Sequence, residues 1–201
     1  SLVDMMELDL IVGSGGVLSH APRREQSAKM LIDSFLPEGV TSLAVDSIFM
    51  MPQLGVMANI ENKKIAEQAR VAALEVFEKD CLIRLGTCIA PVGKLNNSEK
   101  ILNVNLEFKN GDKKNIDIGF GDLIRIKVGY EKVKATLTPG KSVNVGAGFG
   151  EQINTDIYGG QVGIIIDGRG RPLQIDQSSS KRIADLKKWS DAVDEYPELG
   201  K

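Results

Sequence analysis

The feature that most constrains this chain is Leu8-Asp9-Leu10-Ile11-Val12, followed at once by Gly13-Ser14-Gly15-Gly16. A short, nearly continuous apolar run of this kind suits a strand inside a covered sheet. Glycines directly after it allow a sharp turn and leave backbone N–H groups open to close approach, which side chains would block. Pro22 is placed where a helix can begin, because its missing N–H costs nothing there. Ala28, Met30, Leu31, Ile32, Phe35 and Leu36 then recur at helical spacing until Pro37 and Gly39 break the run. Thr41 to Asp46 reads as a second strand ended by a carboxylate. Strand, turn, helix and strand in this order predict an α/β unit.

The α/β pattern continues with a short helix around Pro52 to Met57. A longer helix over Ile60 to Lys79 follows, strong by propensity because it is rich in Ala, Glu, Lys and Gln. Cys81 to Ile89 fits either a strand or an extended loop. Composition changes near Lys94, after which short apolar runs alternate with Gly, Asn, Asp and Pro turns. Leu102, Val104, Leu106 and Phe108 alternate with polar residues, and Asn110-Gly111 is a hairpin signal leading to Ile116 and Ile118. Further strands are predicted at Leu123–Val128, Val133–Thr138, Ser142–Val145, Gln152–Ile157, Val162–Ile166 and Leu173–Ile175. So many short strands imply a small β-barrel or β-sandwich. Ser178–Ser180 then cap a final helix carrying Ile183, Leu186, Trp189 and Val193 on one face. The expected division is residues 1–95, 96–177 and 178–201: an α/β part, a β-rich module, and a helix with its tail.

Bulk properties exclude several function classes. The formal net charge of -2 gives no generic attraction to nucleic acid or to an anionic membrane. No apolar run approaches the roughly 20 residues of a membrane span, and Ser1-Leu2-Val3-Asp4 does not open a signal peptide. Cys81 and Cys88 are too few and wrongly spaced for a disulfide framework or a zinc pair, so a reduced, cytoplasmic protein with buried cysteines is expected. His20 is the single histidine, which leaves no histidine metal cluster and no Ser/His/Asp or Cys/His arrangement to defend.

Each remaining motif admits two readings. Gly13, Ser14, Gly15 and Gly16 form either a nucleotide-contacting loop or a tight strand–helix turn. They match neither the Rossmann glycine pattern nor a P-loop. Asp46, with Ser47, either holds a metal-bound water or ribose hydroxyl or caps the next helix. His20, with Arg23 and Arg24 behind it, either reaches a phosphate or lies on the surface at a helix entrance. Gly146–Gly150 and Gly159-Gly160 are better explained by turn geometry than by phosphate binding. Arg169 and Arg171, in Asp167-Gly168-Arg169-Gly170-Arg171-Pro172, mark either a docking surface for an acidic partner or a solvated hairpin.

Longer strings carry a resemblance. Ile11 through Pro22, Gly39-Val40-Thr41, Val45 through Val56, Gly121 through Ile126 and Gly160 through Leu173 together resemble the glutamate mutase accessory protein MutL (GlmL) family. That family is distinct from the mismatch-repair protein of the same name. It is similar to the ATPase superfamily of actin, sugar kinases and heat-shock chaperones, whose two lobes clamp ATP and Mg²⁺. The resemblance implies a partial actin-like (ribonuclease H-like) lobe, with Gly13, Ser14, Gly15 and Gly16 as adenosine contacts. The superfamily's phosphate hairpin and second acidic strand have no counterpart before Leu8, so it also implies the C-terminal portion of a longer ATPase. The implied function is ATP-dependent reactivation of an adenosylcobalamin-dependent mutase, of the glutamate mutase or ornithine aminomutase type. Expected partners are the mutase subunits and a second copy of the chain. The alternatives are a lobe of a small-molecule kinase and a nucleotide-free docking module.

Overall fold

Residue spacing places most elements correctly, but the sheets are not divided where the composition changes. A computed structural model describes residues 3–62, 64–94 and 100–196. After a 3-10 turn at Met5–Glu7, the first part comprises β1 (Leu10–Gly13), α1 (Gly16–Ser19), α2 (Arg24–Phe35), β2 (Gly39–Asp46), α3 (Met51–Ala58), α4 (Ala66–Val76) and β3 (Leu82–Ala90). A π turn at Phe77–Cys81 joins α4 to β3. Then come β4 (Val92–Gly93), β5 (Lys100–Glu107), β6 (Lys113–Gly119), β7 (Leu123–Ile126), β8 (Lys132–Pro139), β9 (Val143–Asn144), β10 (Ile153–Tyr158), β11 (Gly163–Asp167) and α5 (Ser179–Ala192).

Three sheets result. The largest has the order β1-β2-β3-β11-β7, the second the order β10-β8-β5-β6, and the third pairs β4 with β9. In the five-stranded sheet β1 runs parallel to β2 and β3 parallel to β11, whereas the β2–β3 and β11–β7 pairs are antiparallel. The four-stranded sheet is antiparallel throughout and open. The expected barrel is therefore corrected: among the described residues no sheet closes. Two strands expected in the β module, β7 and β11, complete the sheet begun by β1 to β3, so the boundary expected at residue 95 does not separate the sheets. The reason is in the residues. Ile164, Ile165 and Ile166 are apolar without alternation and suit a strand covered on both faces, whereas β8 buries every second residue and suits a sheet with one wet face.

The five-stranded sheet is the middle of three layers. Ile89, Ile126, Ile164 and Ile166 pack against Leu102, Val104, Leu137 and Ile157 of the four-stranded sheet. On the opposite face Ile11, Leu43, Cys88 and Ile165 pack against Leu31 and Ile32 of α2 and against Trp189 of α5. Each such aliphatic side chain, fully buried, contributes about 1.5–3 kcal/mol. The β3–β11 seam needs two glycines. A Cβ on Gly86 would stand 1.7 Å from the Gly163 carbonyl oxygen, and both residues have positive φ, 140° and 106°.

Several local expectations change. Leu173–Ile175 is not a strand. The helix expected from Ile60 starts at Ala66, because Asn62 first makes a turn: its side-chain oxygen accepts the Lys64 N–H and its carbonyl those of Ile65 and Ala66. At the start of α5 the Asp176 carboxylate accepts the Ser178 N–H, and the Ser178 side chain caps nothing. Of the apolar face expected on α5, Trp189 and Val193 are buried, while Ile183 and Leu186 are exposed. The Trp189 indole donates to the Gly121 carbonyl at 2.9 Å. No helix among the described residues is long and apolar enough to cross a membrane.

Candidate functional site

Parallel pairing from Leu10↔Ser42 to Gly13↔Val45 brings the carboxyl ends of β1 and β2 to one edge of the sheet. Open α/β sheets bind ligands outside such ends. The glycine turn follows β1 there, and Asp46 ends β2. The four turn residues do different things. A Cβ on Gly13 would meet Leu18 Cδ1 at 2.9 Å and Leu31 Cδ2 at 3.0 Å, so Gly13 serves packing. Gly15 has φ 104°, a conformation that favours glycine. At Gly15 and Gly16 a Cβ would find no protein atom within 4 Å. The turn thus presents an open stretch of bare backbone above the strand ends.

Asp46 is buried, and both oxygens of its carboxylate are hydrogen-bonded. Oδ1 accepts the Met50 N–H at 3.1 Å, and Oδ2 accepts the Met51 N–H at 2.9 Å and the Ser14 hydroxyl at 3.3 Å. The Asp46 carbonyl accepts the Ser19 hydroxyl at 2.5 Å. Burial alone would raise this carboxyl. The N–H groups of Met51 and Met50 and the Ser14 hydroxyl instead hold it below the ordinary carboxylate value of 3.8. Of its two sequence readings, the helix cap is the one the structure shows. Ser47 donates to the Cys81 carbonyl at 2.7 Å, fastening the π turn to the end of β2. Between Asp46 and α3, Phe49 is half exposed at φ 62°, an uncommon conformation for a bulky residue.

His20 is exposed just after α1. Arg24 donates to the Ser19 carbonyl at 2.8 Å and fixes the end of that short helix, and Arg23 pairs with Glu25 at 3.3 Å. Neither arginine side chain is idle. Gly159 and Gly160 pass so close to Gly129 and Leu85 that a side chain would collide with backbone, which accords with a turn role.

Arg169 and Arg171 are not on an exposed loop, and the surface reading is corrected. Their side chains are 1% and 3% exposed. Arg169 donates to both oxygens of Asp167 and to Asp33, each at 2.8 Å, and lies 5.1 Å from the Trp189 ring centre. Arg171 donates to Asp167 Oδ2 and to the Pro37 carbonyl, both at 2.9 Å. Burial would raise the Asp167 carboxyl, but the two guanidiniums hold it below 3.8. Cys88 and Cys81 are free and buried. Burial first, and Asp167 second, push the Cys88 thiol up to about 12, so it behaves as an inert apolar group.

Residue spacing missed a charged line on α2. Glu25, Lys29 and Asp33, four apart, meet Arg125 at 2.9 Å, Glu195 at 3.9 Å and Arg169 at 2.8 Å in turn. Their i, i+4 spacing was visible; their partners lie far along the chain. These pairs tie α2 to β7, to the segment just after α5 and to the loop after β11.

The backbone at Gly15 and Gly16 leaves room for a group to approach closely. Both carboxylate oxygens of Asp46 are taken up in the cap of α3, and among the described residues no three of His, Cys, Asp and Glu come together as metal ligands. The model of the MutL protein family matches residues 3–78, the segment holding β1, the glycine turn, α2, β2, α3 and α4. Neither a curated protein nor a solved structure matches the chain.

Proposed function

We propose, from the match of residues 3–78 to the model of the MutL protein family, that the chain is part of an ATP-dependent accessory protein that reactivates an adenosylcobalamin-dependent mutase of the glutamate mutase type. The observation that carries the nucleotide reading is the open backbone of Gly15 and Gly16 at the shared carboxyl ends of β1 and β2. Gly13 holds this turn against Leu18 and Leu31, and Ser14 holds it against the Asp46 cap, so the edge offered to adenosine is rigid. The metal and the phosphates would be held by residues outside this chain, and no chemical step is assigned to its side chains. ATP binding and hydrolysis would supply the free energy that shifts populations between forms gripping and releasing the mutase. Within the chain, the charged line Glu25, Lys29 and Asp33 gives a path by which a displaced glycine turn moves α5 and the β11 loop together.

The test uses the full-length protein and a mutase inactivated by damaged cofactor. Recovery of mutase activity on adding ATP, Mg²⁺ and intact cofactor, and its loss with Gly16→Leu, is the expected result. Failure of the native protein to restore activity, or a phosphorylated small molecule formed without mutase, overturns the reading.

A further inference from the structure

Among the described residues one arginine side chain, that of Arg84, has no hydrogen-bond or ion-pair partner. Every other arginine donates to a carboxylate, a carbonyl or a hydroxyl of the protein. Arg84 is half-buried, and its guanidinium lies over the Tyr130 ring, 5.9 Å from the ring centre. A ring face attracts the cation but accepts nothing in the guanidinium plane, so the N–H donors stay open. The main chain aims this side chain. Leu43 faces Gly86 and Ala44 faces Arg84, so Leu85 is the extra residue of a β-bulge, a device that redirects the side chains beside it. The Arg84 carbonyl accepts the Gln161 N–H at 3.1 Å, and the Leu85 carbonyl that of Val162 at 2.8 Å. The same segment holds the Tyr130 turn: Gly160 donates to the Val128 carbonyl at 3.2 Å and Gly159 to that of Glu131 at 3.0 Å. A Cβ on Gly159 would stand 2.0 Å from the Gly129 oxygen, and one on Gly160 2.5 Å from the Leu85 carbonyl carbon. The glycine pair thus lets β3 and the Tyr130 turn be tied to one strand of backbone.

We infer that Arg84 and Tyr130 form a binding site for a small monocarboxylate with an apolar or aromatic body. Arg84 lines a cleft of about 520 Å³, and Leu82, Ile83, Tyr130, Gln161 and Glu78 stand around it. That volume lies within the roughly 300–1,000 Å³ of small-molecule sites. The guanidinium fork matches the two oxygens of a carboxylate. Half-buried Leu82 and Ile83, with the 66% exposed ring of Tyr130, supply apolar surface for the rest of the ligand. Glu78 selects between anions. It is exposed, lines the same cleft and forms no ion pair with Arg84. Its negative charge opposes a phosphate dianion about twice as strongly as a carboxylate monoanion at the same distance. The inference is independent of the nucleotide reading.

Amide shifts in two-dimensional NMR of the whole chain, titrated with benzoate and with isovalerate, test it. Benzamide, which keeps the ring without the charge, and inorganic phosphate are the contrasts. The expected result is saturable binding of a carboxylate, at least tenfold tighter than benzamide or phosphate, with shifts centred on Arg84, Tyr130 and Gln161. Arg84→Gln should weaken it at least tenfold, and Arg84→Lys by less, because an ammonium keeps the charge without the fork. Glu78→Gln should strengthen binding, and strengthen that of phosphate more. Tyr130→Ala, at an exposed position, should weaken benzoate at least threefold, and it decides the matter if Arg84→Gln does not fold. No binding of either carboxylate, shifts away from the cleft, phosphate bound as tightly as carboxylate, or affinities unchanged in the folded variants would each overturn the inference.

Discussion

The Ser14 hydroxyl donates to Asp46 Oδ2 at 3.3 Å and so fastens the turn after β1 to the cap of the helix after β2. The same carboxylate takes the N–H groups of Met50 and Met51. A displacement of the glycine turn is therefore felt at the start of α3. Asp46→Ala would leave two N–H groups and the half-buried Ser14 hydroxyl without their partner, and should cost about 2–3 kcal/mol in urea unfolding. A loss within 0.5 kcal/mol would show that the cap contributes nothing.

Two buried carboxylates, Asp46 and Asp167, titrate below their unfolded value of 3.8. The folded state holds fewer protons than the unfolded state in that range. The stability they contribute is then fully present above about pH 4 to 5 and is lost as pH falls through their folded values. Thermal unfolding between pH 6 and pH 2 should show a decline that begins near pH 4. Asp46→Asn should flatten it, at the expense of stability at neutral pH. An equally steep decline in that variant would contradict the role given to Asp46.

Asp167→Asn would leave Arg169 and Arg171 buried with only partial compensation, and a loss of about 3–5 kcal/mol is expected in denaturant. Changing both arginines to Glu should prevent folding. Soluble, folded protein carrying that double change would contradict the buried ionic cluster.

Gly86→Ala places a methyl on the Gly163 backbone at a positive φ. The β3–β11 seam has to part to admit it, and a loss of at least 3 kcal/mol or failure to fold is expected. Gly16→Ala is the control from the same chemistry: it meets nothing, sits at the start of α1, and should leave thermal stability unchanged within about 0.5 kcal/mol.

Much of this structure was legible because helix and strand periods differ. The α/β order through Asp46 follows from apolar spacing, as does the Asn110-Gly111 turn, where Gly111 has φ 87°. The sheet to which a strand belongs was not legible by chain order. The run Gly163–Ile166 was read as one more strand of the β module, although its lack of alternation suits a strand covered on both faces, and only the three-layer arrangement says which neighbours cover it. Asp46 was recognised as important but not resolved, since a ligand group and a cap both call for a carboxylate at a strand end. Arg169 and Arg171 were misplaced because glycines and charges suggest solvent. Asp167 stood nearby as a local signal, but Asp33, 136 residues away, gave none.

Calorimetric titration of full-length protein with ATP and Mg²⁺, native against Gly16→Leu, tests the adenosine role of the glycine turn most directly. Leucine suits a helix start, and the position is exposed, so the fold should be unchanged. The expected result is saturable binding by the native protein and at least tenfold weaker binding by the variant, with equal thermal stability. Equal affinity in the two proteins would contradict it and reduce Gly13-Ser14-Gly15-Gly16 to a strand–helix turn.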